Sequence, residues 1–495
     1  MKSKLIYIIA TVLAVSASVS AQNDVDALRY SQTSLAGTAR YTSMGGAFSA
    51  LGGDFSVLST NPAGIAIYKK SEFSLSPSFY KEKSESNFLG TTVSDNKYNF
   101  NMGNLGFIFS YRLTRNDTSR GWKNWNFGIG YNRLNNFHAA STYEGINNDN
   151  SLLDAYLLQV NNGGGTSFSE ITDGYPFDAG LAYQTYLIDT IPGDNNHYFS
   201  AIPNGGELQR RSVKSKGSLG EFALSFGGNY SNKLYLGATL GINSLRYIEN
   251  SSYEEIDSQN SISDFKSFRL NNDLKATGTG INFKLGIIYR PHDVVRIGLA
   301  IHTPTFYEVH EEYSGKMSSE FDDGSTYSYD SPSGSFDYEL TTPMRAIAGI
   351  GFIIGKMGLI SADYEFIDYS EAELSSGAYN YFEENKAIRD KYTAAGNLRI
   401  GTEWRYDVFS FRAGYAIYAS PFAAGKGVSG ADQKRNAYSA GIGLRDQDYF
   451  IDLSYVYSTG KNFYLPYSLG NIEQVPGAVT EMQTNNITLT FGVKF

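Results

Sequence analysis

Downstream of residue 70, apolar and polar side chains alternate residue by residue in long runs. In the last run Ile487, Leu489, Phe491, Val493 and Phe495 share one face, and Asn486, Thr488, Thr490, Gly492 and Lys494 share the other. The same parity orders 449–457, 397–406 and 280–290. A period of two marks β-strands with chemically different faces. A soluble β-sandwich also alternates, but its strands average about 5–6 residues, whereas a tilted strand needs about 9–11 to cross a bilayer. The runs here have the longer length. Tyrosines fall at their ends (Tyr80, Tyr111, Tyr230, Tyr289, Tyr406, Tyr457), where a membrane barrel carries its aromatic girdle. The polar face bears charge as well as small residues: Arg112, Glu221, Lys284, Arg296, Arg345, Asp363, Glu365, Arg399, Glu403 and Arg412. Such a face suits a wet lumen. The pattern predicts an all-β chain folded as a transmembrane antiparallel β-barrel.

Lipid offers no partner to an unpaired backbone group, so the sheet must close. Strands are expected near 71–80, 103–113, 124–134, 218–230, 233–247, 279–290, 294–304, 343–354, 358–368, 396–406, 408–419, 437–446, 448–458 and 485–495, a count of 14. Sixteen is the alternative, because 205–216 and 262–277 either extend neighbouring strands or add a hairpin. Short links at Ser231-Asn232, Pro291-His292-Asp293, Lys356-Met357 and Arg445-Asp446-Gln447 are expected to face the periplasm. The long connectors 81–102, 135–217, 248–278, 305–342, 369–395, 420–436 and 459–484 then face outward. Phe495 ends the chain on the lipid-facing parity and resembles the signal read by the outer-membrane barrel assembly machinery.

The first 70 residues do not alternate. Lys2 and Lys4, the apolar run 5–15 and the small residues Val19 and Ala21 read as an export signal over 1–21. Residues 22–70 are rich in small and apolar side chains. A barrel this wide cannot fill its lumen with wall side chains alone, so 22–70 is expected to fold into it as a plug, or hatch. Short helical pieces are expected at 25–31 and at 54–59, the latter capped by Asp54, followed by a turn at Asn61-Pro62-Ala63-Gly64. Residues 71–495 form the barrel and its loops.

Composition removes competing classes. The chain has 495 residues, no Cys and a net charge of −9, so a disulfide framework, a thiolate metal site and a basic nucleic-acid footprint are all missing. No nucleophile elbow, zincin or phosphate-loop pattern occurs. The G-x-G-x-x-G match at Gly425–Gly430 lies between strands, not between a strand and a helix. No enzyme, cofactor or metal is expected. Fifty-one glycines and 38 tyrosines fit a barrel.

Ser43-Met44-Gly45-Gly46-Ala47 and Asn61-Pro62-Ala63-Gly64-Ile65-Ala66, just before the first strand, resemble the FadL/TodX family of outer-membrane transporters for long-chain fatty acids and other hydrophobic compounds. His302-Thr303-Pro304-Thr305, Asp363-Tyr364-Glu365 and Arg399-Ile400-Gly401-Thr402-Glu403 are also similar to it, and the resemblance covers essentially the whole mature chain. It implies a 14-stranded barrel with an N-terminal hatch, loop capture of an apolar ligand, an apolar pocket, and hatch-gated sideways release into the outer-membrane lipid. Gly45, Gly46, Asn61, Pro62, Ala63 and Gly64 are then expected to form the gate. Phe48, Leu51, Phe55 and Leu58 are expected to meet ligand. An amphipathic helix at 151–161, with Ser151 and Asp154 as a capping box, offers Leu152, Leu153, Tyr156, Leu157 and Val160. A second, from Pro176 to about Ile188, offers Phe177 and Leu181. These faces form an outer greasy groove or pack on each other. Gly128 and Gly130 are the candidates for a kink that opens the wall. Two alternatives to fatty-acid import stand beside it: a receptor-transporter for haem, with His302 or His138 as axial ligand, or for aromatic compounds; and a surface adhesin acting through the long loops.

Overall fold

The structure is a computed structural model and describes residues 24–113, 121–203, 205–470 and 474–495. The export signal expected over 1–21 lies outside these residues. Fourteen strands form one closed antiparallel barrel. They are β1 (Glu72–Phe88), β2 (Thr91–Arg112), β3 (Trp122–Asn136, continued by Ala139–Asn147), β4 (Glu207–Tyr230), β5 (Leu234–Ile256), β6 (Phe265–His292) and β7 (Val295–His302, continued by Phe306–Phe321). The second half comprises β8 (Gly334–Thr341, continued by Arg345–Ile354), β9 (Gly358–Asp368), β10 (Ala394–Tyr406), β11 (Phe409–Tyr418), β12 (Asp432–Arg445), β13 (Tyr449–Tyr464) and β14 (Ala478–Lys494). Closure is made by β1 against β14, from Glu72 opposite Lys494 to Asn87 opposite Val479. Ser71 and Phe495 exchange both backbone hydrogen bonds at the seam.

The count is 14 and not 16, because 205–216 and 262–277 prolong β4 and β6 beyond the bilayer. The segment 81–102 is not an outer loop. It continues β1 and β2 to a two-residue turn at Leu89-Gly90, with φ of 48° and 87°, the left-handed pair that matches strand twist in a tight hairpin. Outside, Phe107, Phe109, Phe226, Leu285 and Leu299 face lipid. Higher up, the exterior of β5–β7 turns charged, with Lys275 on Glu312 at 2.5 Å and Lys266 on Glu320 at 2.6 Å, so these strands stand clear of the membrane. Tyr80 departs from the expected girdle. Its parity is the lumen's, and its hydroxyl donates to Glu82 at 3.0 Å. No helix among the described residues is long and apolar enough to cross a membrane; the strands make the crossing.

Inside the wall, residues 24–70 descend from the outer end to the periplasmic end. Helix α1 (Asp24–Ser31) sits near the outer mouth and α2 (Ala39–Ser43) lies lower. Two 3-10 turns follow, Phe55–Ser59 capped by Asp54 and Pro62–Ile67 capped by Asn61. Over the outer mouth, 148–203 folds into a cap. It contains α3 (Leu152–Val160), α4 (Ile171–Gly174), α5 (Ala179–Gln184) and the small hairpin of Ile188–Thr190 with Tyr198–Ser200. The Ser151/Asp154 capping box is present. The second helix is shorter than the pattern predicts, starting at Ala179 behind its N-cap Asp178 and not at Pro176. Helix α6 (Phe382–Lys391) lies in the β9–β10 loop.

A candidate transport path: hatch, vestibule and chamber

The hatch is seated on glycines of the wall. A side chain at Gly106 or Gly130 would run into the Phe55 ring, and one at Gly128 would meet Leu58 and Ile65. A side chain at Gly298 would collide with the Ser49 carbonyl, and one at Gly401 with Met44. Missing side chains thus cut a track around the lumen in which the hatch backbone lies. Ion pairs fix it there. The Arg40 Nε donates to Glu403 at 2.7 Å; Glu403 also accepts from Arg412 at 2.7 Å, and Arg412 reaches Asp452 at 2.7 Å. The Ser49 N–H and hydroxyl both donate to Asp363, at 2.8 and 2.7 Å. The Asn61 amide donates to the Ser49 and Ile287 carbonyls while its oxygen caps the turn at Ala63. Pro62 and Ala63 rest on Gly237 and Gly286, and Gly64 is buried against Gly52. Gly45 and Gly46 adopt φ of 63° and 77°, and Gly45 lies against the Tyr415 backbone.

These contacts place the expected residues differently from their sequence reading. Phe48, Leu51, Phe55 and Leu58 are fully buried packing between hatch and wall. None of them lines the cavity described below. The wall does not open at Gly128 and Gly130. Both are paired without interruption to β2 and to β4, and their missing side chains make room for the hatch. Leu152, Leu153, Tyr156 and Val160 of α3, with Leu181 of α5, form the core of the cap together with Phe265, Phe268 and Met317 from the strand extensions. Leu157 packs at its margin, and the Phe177 ring lies 5.0 Å from that of Tyr313. The helix faces therefore pack on each other and on the wall instead of lining an open groove.

Below the cap, the upper lumen forms an apolar vestibule. Phe137, Leu245, Tyr247, Val309, Tyr338 and Leu340 line it, and α1 fills it with Ala27, Leu28 and Tyr30. The Tyr30 ring stands edge-on to Phe137 and Tyr247 at 6.2 and 6.1 Å. Polar contacts steady the helix at its ends. Asp24 accepts from Lys391 and Tyr392, each at 2.9 Å, and Arg345 donates to the Ser31 carbonyl. Sequence reasoning places a helix here but misses its role, which depends on strands far away in the chain.

Beneath α1 lies a cavity of about 90 Å³ between the hatch and strands β3–β11. Its wall is a polar belt. Glu221 pairs with Lys284, Glu365 accepts from Arg345 and Arg399 at 3.0 and 2.9 Å, and His302 binds the Thr60 carbonyl at 2.6 Å. The cavity reaches the wall at Asn132, Arg133 and Leu134, where the pairing of β2 with β3 stops. Backbone pairing of β2 with β3 ends at Asn104 and Asn132, and above it β3 turns inward behind the β1–β2 hairpin. There Ser84 donates to the Ala140 carbonyl at 2.6 Å and the Phe88 and Tyr143 rings meet at 4.8 Å. Only side chains bridge the break. Arg133 donates to the Met102 carbonyl at 3.1 Å, and Asn99 meets His138 at 3.0 Å. The two histidines suited to haem are thus both engaged, His302 with the hatch and His138 with Asn99 and Asn136.

Comparison with known proteins agrees with this architecture. The family model described as outer membrane protein transport protein (OMPP1/FadL/TodX) matches residues 224–493, and one described as uncharacterised protein family UPF0164 matches 8–155. No curated protein matches the chain. Among solved structures, the Pseudomonas putida toluene transporter TodX is 14% identical, with a TM-score of 0.53 over 93% of this chain and 99% of its own. A Pseudomonas aeruginosa FadL homologue is 12% identical, with a TM-score of 0.55 over 94% of this chain and 100% of its own. At such identities the likeness is one of fold. The matched family model, spanning more than half the sequence, carries the assignment: this chain belongs to the OMPP1/FadL/TodX family of outer-membrane proteins that transport hydrophobic compounds.

Proposed function

We propose that this protein imports apolar compounds of lipid size, long-chain fatty acids among them, through the vestibule and out sideways between β2 and β3. One observation carries the reading. The apolar vestibule is filled by the protein's own α1, and the cavity beneath it runs to the one place described above where strand pairing is replaced by side chains. An apolar solute gains by entering such a vestibule, and α1 is the element it must displace. It then passes the hatch without uprooting it and slips out where only side-chain bridges need to part. The names of two solved structures of like fold, a toluene transporter and a FadL homologue, accord with a hydrophobic ligand.

The exit is tested by locking it. The chain has no Cys, so Asn99→Cys with His138→Cys introduces the only thiol pair, at side chains already in contact. A short thiol cross-linker added to cells is expected to abolish uptake of labelled oleate and toluene, while the same variant without cross-linker transports both. Undiminished uptake after complete cross-linking rules out this exit. Mass spectrometry of an organic extract of the purified protein identifies what it carries.

A further inference from the structure

One corner of the chamber is built to receive hydrogen bonds that nothing among the described residues donates. Asn243 on β5, 1% exposed, has neither its amide nitrogen nor its oxygen paired. It stands opposite Glu221 of β4 on one side and Gly280 of β6 on the other. Glu221 gives one carboxylate oxygen to Lys284, and its Oε1 is unpaired. Asn282 donates through its amide nitrogen to the Thr305 hydroxyl at 2.9 Å, and its Oδ1 is unpaired. Gly241, opposite Asn282, has no side chain to keep Asn282 and Glu221 apart. Three buried acceptors and one buried donor therefore face the same cavity, whose roof is Tyr30, Leu219 and Tyr307 of the apolar vestibule.

Buried polar atoms left without partners are rare and costly, so this corner calls for a ligand group of matching chemistry. A carboxylate brings no donor and would face the Glu221 charge. An ammonium would face Lys284 and Arg345. A bare hydrocarbon would leave all four atoms unpaired. We infer that the corner of Glu221, Asn243 and Asn282 recognises an uncharged, hydrogen-bond-donating end, such as vicinal hydroxyls or a primary amide, on a molecule whose apolar part lies in the vestibule. This rests on the import reading above and narrows its substrate class to neutral hydroxylated or amidated lipids.

The test compares three probes of one chain length, mono-oleoylglycerol, oleate and octadecane, titrated onto the full-length protein in detergent. Wild type is expected to bind mono-oleoylglycerol about tenfold more tightly than oleate, since a site built to hydrogen-bond rejects an analogue that cannot. Asn243→Leu is expected to erase that difference while leaving octadecane affinity unchanged. Asn243→Ser, which restores a hydroxyl, is expected to recover part of it. Heat-modifiable migration in gels verifies that each variant is a folded barrel. The wild-type ranking stands as a test even where a variant fails to fold. Oleate binding as tightly as mono-oleoylglycerol overturns the inference but leaves hydrophobic import intact. Equal loss of all three probes in Asn243→Leu, or loss of none, also overturns it, the corner then holding water alone. Failure of wild type to bind any probe defeats the import reading together with the inference.

Discussion

Glu403 shows how much one buried side chain holds. It is fully buried and is shared by Arg40 of the hatch and by Arg412 and Arg405 of the wall. Removing one member of such a cluster leaves charges buried without a counter-ion, which typically costs about 3–5 kcal/mol. Glu403→Gln is therefore expected to lower the temperature at which the barrel loses its heat-resistant gel mobility, with Arg405→Gln, half-exposed, having little effect. Equal shifts for the two variants would contradict the argument. At this scale the sequence was informative about parity and silent about partners. Alternation places Glu403, Arg399 and Arg412 on the lumen face, but the pairing of Glu403 with Arg40 joins positions 363 residues apart. The glycines behave likewise. Their abundance is visible, yet only the path of the hatch shows that Gly106, Gly128 and Gly298 are seats for it and that Gly128 and Gly130 are not a hinge.

Among the elements, the cap has a built-in pH dependence. The amide of Gln209 bridges Glu207 and Glu255, at 2.8 and 3.1 Å, at the outer tips of β4 and β5. Burial raises the pKa of both, most for Glu207, where the Glu255 charge adds to it; for Glu255 the Leu152 N–H and Ser151 hydroxyl act against burial. A carboxyl that holds its proton more tightly folded than unfolded stabilises the fold at low pH. That contribution fades as pH rises from the ordinary carboxylate value toward the raised one. Because Glu255 accepts from the Ser151 hydroxyl and the Leu152 N–H at the start of α3, the cap is expected to loosen on alkalinisation. Hydrogen exchange of the α3 amides, corrected for intrinsic rates, should show less protection at pH 9 than at pH 6, and Glu207→Gln should flatten the difference. A cap equally protected at both pH values would refute this. The helix itself was legible, down to its capping box. Its partners were not, because an amphipathic face looks the same whether it awaits a ligand or a strand extension.

For the molecule as a whole, the barrel was the most legible feature, since period two, strand length and closure in lipid together leave few alternatives. The miss at 81–102 is instructive: polar alternation above the membrane carries no hydrophobic contrast, so a strand there reads as a loop. Closure also separates what holds the wall from what fills it. Every wall strand is paired on both edges by other strands, β2 with β3 only as far as Asn104 opposite Asn132, whereas the hatch meets that wall chiefly through side-chain and packing contacts, with a backbone hydrogen bond from the Ser34 N–H to the Leu134 carbonyl at 2.9 Å. Deletion of 24–70 should therefore leave a barrel that folds in detergent and keeps its β-sheet circular dichroism. Its lumen, lined by Glu403, Arg412, Asp452 and the chamber belt, would then flood. Single-channel recording is expected to change from closed wild type to a large, weakly selective pore. Failure of the deletion variant to reach the heat-modifiable state would mean instead that the hatch guides assembly, with the glycine track serving as a mould for the wall and not merely as a seat for the plug.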